Sequence, residues 1–305
     1  MKVGFIGIGV MGAPMALNIL KHGHDLTVFD RSPEAVARLV QAGAKAAATP
    51  REVGAASDFV VTMLPEPQHV EGVVLGTDGV AEGLRAGGIV IDMSTIDPQT
   101  SVRVGDALRA RGMELVDSPV GKTSEHAATG TLTLMVGGNQ EAIDRAMPVL
   151  KCMGTDTFFC GGPGTGHAMK ITNNLLATTI MMANTEALAI GIKSGLTLEL
   201  IQEVIGTTMG WNQQLAVAMP KKAFVGDDSL GFAIRLACKD VRLACDLAQA
   251  LGFDPLVGRA AQKTMENAIA QGLGERDTAA IMFAREKELG IKVRQQPAAA
   301  LRSAA

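Results

Sequence analysis

The first twelve residues confine the fold more than any later stretch of the chain. An apolar run, Val3 to Ile6, leads into Gly7-Ile8-Gly9-Val10-Met11-Gly12, which spells G-x-G-x-x-G. Such spacing suits a strand that turns at once into a helix. Gly7 permits the tight turn, Gly9 keeps the backbone open to close approach, and Gly12 lets the helix pack against the strand. Residues 2–7 read as a buried strand, 10–22 as a helix and 24–30 as a second strand, together one βαβ unit.

The alternation continues. Helical patterns near 33–43 and 66–75, and one opened by Pro98 to about 110, interleave with apolar strands at 58–63, 88–92 and 113–117. This order predicts a doubly wound parallel sheet of the Rossmann type. Residues 131–136 and 154–159 read as further strands around a helix near 139–150, and Gly161-Gly162-Pro163-Gly164 then breaks the pattern. Beyond it only helical periodicity is found: a long helix to about 193, then 197–207, 232–251, 255–272 and 277–288. With 305 residues the chain exceeds one ordinary core. We therefore expect an α/β domain over 1–163, an all-α domain over 164–291 joined through the long helix, and a disordered tail over 292–305.

Composition narrows the partners. A net charge of −3 gives no general field for nucleic acid or an anionic membrane, so an anionic ligand needs a local positive site. Cys152, Cys160, Cys238 and Cys245 show no C-x-x-C or metal-ligand spacing and read as reduced thiols of a cytoplasmic protein, with no metal expected. Glycines and Pro14 interrupt the N-terminal apolar run, which reads as a first strand rather than a signal peptide. The long helix carries Lys170, Asn173, Asn174, Asn184 and Glu186 and reads as a packed helix, not a membrane span. It and the Ala- and Met-rich helices after it are apolar enough to predict a homodimer or homotetramer.

At the glycine turn the free N–H groups and partial positive charge of a helix N-terminus suit a pyrophosphate. Asp30 follows Gly12 by eighteen residues at the end of the second strand. A carboxylate there can accept from both ribose hydroxyls and repel a 2′-phosphate, which favours NAD over NADP. Arg31 could instead meet a 2′-phosphate, so NADP stays open, and a helix-capping Asp30 is the plain alternative.

Four further blocks extend the pattern: Asp92-Met93-Ser94-Thr95, Asp117-Ser118-Pro119-Val120 with Gly130-Thr131-Leu132, Gly166 with Lys170, Asn173 and Asn174, and Lys239-Asp240. Together with the glycine turn they resemble the β-hydroxyacid dehydrogenase family over nearly the whole chain. The resemblance implies Lys170 as catalytic acid/base, with Asn174 orienting it or the substrate. It also implies Thr95 against nicotinamide or substrate, Leu64-Pro65 beside the cofactor, Val10 and Met11 in the glycine loop, and Lys239 reaching the cofactor. The residues agree for Lys170, since a carbonyl receiving hydride needs a proton donor at its oxygen. Gly166, Lys170 and Asn174 recur on one helix face, and the glycine is expected to leave room for a ligand. Asn173 falls on a neighbouring face. A salt bridge is the plain reading of Lys239-Asp240, and a helix cap that of Ser94 to Pro98.

One block departs from the family. After Pro119-Val120 most members carry Ser-Gly-Gly, whereas this chain has Gly121-Lys122-Thr123-Ser124. Walker A would need a glycine at 116, which is Val, so nucleotide triphosphate binding is rejected. A cation with two hydroxyls suits a fully ionised tetrahedral anion such as a sulfonate. The segment resembles the family branch that reduces 3-sulfolactaldehyde, with Lys122 standing for an arginine. The expected substrate is a short anionic aldehyde or its hydroxy acid. Succinic semialdehyde, 3-hydroxyisobutyrate and tartronate semialdehyde are alternatives, and Lys122 as a surface charge is the plain reading. Imine reduction is disfavoured by the lysine at 170, and a non-catalytic NAD-binding module would be expected to lack it.

Overall fold

The computed structural model describes residues 1–295, which divide into two compact units, Met1–Thr172 and Asn173 onward. The first is an α/β unit. Its strands are β1 (Lys2–Ile6), β2 (Asp25–Phe29), β3 (Lys45–Ala46), β4 (Phe59–Thr62), β5 (Ile89–Asp92), β6 (Glu114–Asp117), β7 (Val120–Gly121), β8 (Leu132–Gly138) and β9 (Gly154–Gly161). Its helices are α1 (Gly12–Lys21), α2 (Pro33–Gln41), α3 (Pro50–Ala55), α4 (Pro67–Leu75), α5 (Val80–Gly83), α6 (Pro98–Arg109), α7 (Ser124–Thr129) and α8 (Gln140–Leu150).

The sheet runs β3-β2-β1-β4-β5-β6-β8-β7, with β9 paired to β8. From β3 to β6 every pairing is parallel. The doubly wound parallel sheet expected from the alternation is present, and beyond β6 the sheet becomes mixed, because β8 pairs antiparallel with both β6 and β7. After β6 the chain passes through Ser118-Pro119 straight into β7, and both strands lie antiparallel to β8. The chain then forms α7 and returns in the opposite sense as β8.

Strand burial explains the double winding. Phe5, Val28, Val61, Ile91 and Val116 share one core with Met15, Ile19, Leu39 and Ile143 of α1, α2 and α8. Ile6, Val60, Val90 and Leu115 share another with Val53, Val70, Val80, Val104 and Leu108 of α3 to α6. Adjacent strand residues thus face opposite cores, which is why these strands are apolar without interruption. Helix starts are fixed locally: Ser32, Thr49 and Asp97 each accept from a first-turn N–H, with proline as the next residue.

Helix α9 (Thr165–Lys193) begins in the first unit and continues into the second, so the division falls inside it, past the glycine-rich break at 161–164. Its length and apolarity would suit a membrane span by composition alone, but it is a partly buried helix whose Asn174 and Asn184 are hydrogen-bonded within the protein.

The second unit holds α10 (Leu198–Gly206), α11 (Met219–Lys221), α12 (Ile234–Ala250), α13 (Leu256–Ala268) and α14 (Ile281–Leu289), with short π and 3₁₀ turns between them. Met181, Met182, Phe224, Ile234, Val241, Met265 and Met282 form its core. An isolated antiparallel bridge, Ala233 to Asp277, is its one β feature among the described residues. The tail expectation is corrected for residues 292–295. Val293 is buried, its N–H donating to Glu286 Oε1 at 2.6 Å, and Gln295 N donates to Phe224 O at 3.0 Å. Residues 296–305 lie outside the described residues.

Candidate active site

The glycine turn lies where β1 meets α1. Gly7 has φ +91°, and a Cβ on it would stand 2.3 Å from Met63 O, so both backbone conformation and space require glycine. At Gly12 a Cβ would stand 1.9 Å from Gly7 O, whereas one at Gly9 would meet no atom within 4 Å. Gly7 and Gly12 are thus closed by the protein itself, and Gly9 faces open space. Val10 beside it is exposed, and Met11 at the N-cap of α1 makes no side-chain capping bond.

Asp30 directly follows β2, and both of its carboxylate oxygens accept from backbone N–H groups. Oδ2 accepts from Ile8 N and Oδ1 from Ser32 N, each at 2.8 Å. An open glycine, a helix start without a side-chain cap and a carboxylate at the end of the adjacent strand fit a dinucleotide with free ribose hydroxyls. Leu64, after β4, donates its N–H to Ser94 Oγ at 2.9 Å, which ties the loops after β4 and β5 together. Pro65 and Thr95 lie in those loops, at strand C-termini where ligands of such sheets sit.

The ends of β4, β5 and β6 also hold a buried polar cluster that the sequence reading did not single out. Thr62 Oγ1 donates to Asp92 Oδ1 at 2.8 Å, and Ser94 N donates to the same oxygen at 3.1 Å. Asp117 accepts from Gly164 N at 2.8 Å and His167 N at 3.1 Å, capping the start of α9 from another element. The His167 ring, fully buried, places Nε2 3.1 Å from Ser94 O and 3.5 Å from Asp92 Oδ2. In sequence Asp92 and Asp117 are only parts of longer blocks, and His167 is indistinguishable from a histidine on an exposed helix face.

Lys170 follows His167 by about one turn of α9. Gly166 does not leave room for a ligand as expected. A Cβ there would stand 2.3 Å from Met135 O and 2.8 Å from Asp117 Oδ2, so the glycine lets α9 approach β8 and Asp117.

Lys122 adopts φ +74°, in the left-handed region, and its Nζ donates to Asp156 Oδ2 at 2.7 Å and Thr131 O at 2.8 Å. Thr123 Oγ1 lies 3.0 Å from His126 Nδ1. The ammonium expected to meet a substrate anion is therefore anchored by a neighbouring carboxylate, while Gly121 is buried and Ser124 starts α7.

In the second unit Asn174 Nδ2 donates to Asp240 Oδ2 at 2.6 Å and Asn174 Oδ1 accepts from Asn173 at 3.1 Å. Lys239 Nζ stands 3.0 Å from Asp240 Oδ1, so the plain salt-bridge reading of that pair holds, and the bond from Asn174 ties Asp240 to the long helix. Cys152, Cys238 and Cys245 are buried, and burial pushes all four thiols up, Cys160 included.

Residues 2–162 match the NAD binding domain of 6-phosphogluconate dehydrogenase, and residues 164–284 match the family described as NAD-binding of NADP-dependent 3-hydroxyisobutyrate dehydrogenase. The chain is 40% identical to 3-sulfolactaldehyde reductase of Escherichia coli (strain K12), covering 92% of this chain and 94% of that protein. It is 39% identical to 3-hydroxyisobutyrate dehydrogenase of Pseudomonas aeruginosa, covering 85% and 89%. Among solved structures, 3-hydroxyisobutyrate dehydrogenase of Mycobacterium tuberculosis with L-serine superposes with a TM-score of 0.86 at 30% identity, covering 93% and 99%. With both units matched and such relatives aligned along most of its length, the chain belongs to the β-hydroxyacid dehydrogenase family of NAD-binding oxidoreductases that act on CH–OH groups.

Proposed function

We propose that the chain interconverts a short anionic aldehyde and its hydroxy acid, with 3-sulfolactaldehyde and 2,3-dihydroxypropanesulfonate as the preferred pair. The observation that carries the sulfonate is the Gly121-Lys122-Thr123-Ser124 segment, where a cation and two hydroxyls replace the small residues expected of most members. A sulfonate presents three acceptor oxygens, and a lysine with two hydroxyl donors matches them.

The nicotinamide cofactor, which the glycine turn and Asp30 would hold, would supply the hydride as NADH in reduction and accept it as NAD+ in oxidation. The protein's own part is proton transfer and orientation. In the reductive direction the Lys170 ammonium donates a proton to the oxygen that gains negative charge, and in the oxidative direction its amine accepts the alcohol proton. Thr95 contacts the nicotinamide or the substrate. Fixing the remote anion near 121–124 would orient a small, flexible aldehyde, so its binding energy would raise turnover as well as affinity.

A carboxylate substrate is the second reading, favoured by the Lys122 to Asp156 pair. If that ammonium stays bound to Asp156, backbone N–H groups and hydroxyls hold the anion, and succinic semialdehyde fits as well. Initial rates of NADH oxidation with 3-sulfolactaldehyde and succinic semialdehyde, side by side and repeated with Lys170→Ala, test both. A sulfonate preference abolished by the substitution supports the proposal, and equal or faster rates with the carboxylate overturn the sulfonate.

We also propose a homodimer or homotetramer. Leu176, Ile190, Leu200, Val204 and Met209 of the second unit are exposed apolar side chains that assembly would cover. Sedimentation velocity reading a single-chain mass would overturn this.

A further inference from the structure

We propose that the buried His167 imidazole couples the Ser94–Thr95 loop to the first turn of α9 and so fixes where Lys170 stands, making His167 a positioning residue for the reaction. The inference rests on the reading of Lys170 as the acid/base.

The ends of β5 and β6 and the start of α9 meet at this imidazole, and the end of β4 is tied in through Thr62 and Leu64. A carbonyl only accepts, so the 3.1 Å separation from Ser94 O means that Nε2 carries a hydrogen and donates it. Ser94 is held from two further directions, its N–H by Asp92 and its hydroxyl by Leu64 N. On the other side the backbone N–H of His167 is held by Asp117 at the end of β6. The ring therefore spans from a strand-end loop that adjoins Thr95 to the helix turn that precedes Lys170.

The surroundings leave little room to adjust. A Cβ on Gly137 or on Gly166 would each come within 2.8 Å of Asp117 Oδ2, so backbone closes around that carboxylate. A mere packing role would be served by a leucine of similar volume. Instead the chain buries two carboxylates and an imidazole, and Asp92 Oδ2 and His167 Nδ1 find no hydrogen-bond partner among the described residues. Buried polar groups in that condition oppose folding. Their location at the C-terminal edge of the parallel strands, where ligands of such sheets bind, argues that the cluster serves the site.

The test compares His167→Leu, which keeps bulk and loses the donor, with His167→Gln, whose amide can donate to Ser94 O. We expect His167→Leu to lower kcat by about tenfold to a hundredfold, the scale of a small misplacement of a catalytic group, with KM for NADH within about twofold. His167→Gln should recover most of the loss. Hydrogen exchange read by mass spectrometry in the cofactor-free protein should quicken in peptides covering 93–97 and 164–172 for His167→Leu and not for His167→Gln. Wild-type turnover in His167→Leu, unchanged exchange in both segments, or a glutamine variant no better than leucine would each overturn the inference. If His167→Leu does not fold, His167→Asn, whose amide is too short to reach Ser94 O, replaces it. Lys170→Ala is measured in parallel. Wild-type turnover there removes the acid/base reading, and exchange in the two segments still decides whether His167 couples them.

Discussion

The Asp30 carboxylate and the Ile8 N–H stand 2.8 Å apart, so the residue proposed to meet the ribose also braces the glycine turn. Removing it has two effects that can be separated. Asp30→Ala should lower kcat/KM for NADH by about tenfold to a hundredfold, the worth of a charge-assisted hydrogen bond. The kcat/KM for NADPH should fall less or rise, because the repulsion of a 2′-phosphate disappears with the carboxylate. Steady-state rates with both cofactors check this, and an equal loss with each would leave only the bracing role.

Gly9 and Gly12 should respond to alanine in opposite ways. At Gly12 the new Cβ would lie 1.9 Å from Gly7 O, a backbone atom that cannot rotate away, so Gly12→Ala should destabilise the protein by at least about 1–3 kcal/mol. At Gly9 the methyl would meet nothing within 4 Å. Gly9→Ala should therefore keep its thermal midpoint and lose cofactor affinity. Melting curves with NADH titrations separate the two, and a wild-type Kd for Gly9→Ala would detach Gly9 from the pyrophosphate.

Much of this was legible in the sequence, for identifiable reasons. The strands β1, β4 and β5 are buried on both faces, so their apolar runs read directly, and Ser32-Pro33 and Asp97-Pro98 announce helix starts through local chemistry. The antiparallel return of β8 was not legible, because nothing in Leu132 to Gly138 records which way the chain re-enters the sheet. Nor was the role of Gly166, whose glycine is required by Met135 O and Asp117, atoms distant in sequence. His167 was missed for the same reason: its partners Ser94 and Asp92 lie more than seventy residues away.

Lys170→Ala should cut kcat by about 10²- to 10⁴-fold, the usual contribution of a positioned proton donor, while NADH binding changes little. Lys170→Arg keeps the charge but holds its protons too tightly to exchange them in the oxidative direction. It should therefore be impaired in both directions, and more so in oxidation. Stopped-flow measurement of NADH binding beside steady-state turnover checks the split, and equal losses of binding and turnover would make Lys170 a binding residue.

The loop from Lys222 to Ser229 carries a pH signature of its own. Lys222 Nζ donates to Asp227 Oδ2 at 2.8 Å, and this bond, aided by Ser229, holds the Asp227 carboxyl well below the usual carboxylate range. A carboxyl depressed on folding contributes stability that is complete above its unfolded pKa, about 3.9, and is lost as pH falls through the folded value. The gap in thermal midpoint between wild type and Asp227→Asn should hold steady from about pH 8 to pH 5 and narrow only below about pH 4. A gap that closes already near pH 6 would contradict the assignment.

On the proposed function, Lys122 and Asp156 decide how the substrate anion is met. The pair is partly exposed, with side chains 32% and 52% accessible, so it contributes only about 0–1 kcal/mol and can be displaced by a better anion. On that ground Asp156→Asn should release the ammonium and raise kcat/KM for 3-sulfolactaldehyde by up to about fivefold, the equivalent of 1 kcal/mol. Lys122→Ala should lower kcat as well as raise KM, because a lost remote anchor leaves the aldehyde disoriented. Both constants unchanged in Lys122→Ala, for the sulfonate and the carboxylate alike, would make the lysine a structural tie between Asp156 and Thr131 O and return the choice of anion to the backbone and hydroxyls of 121–124.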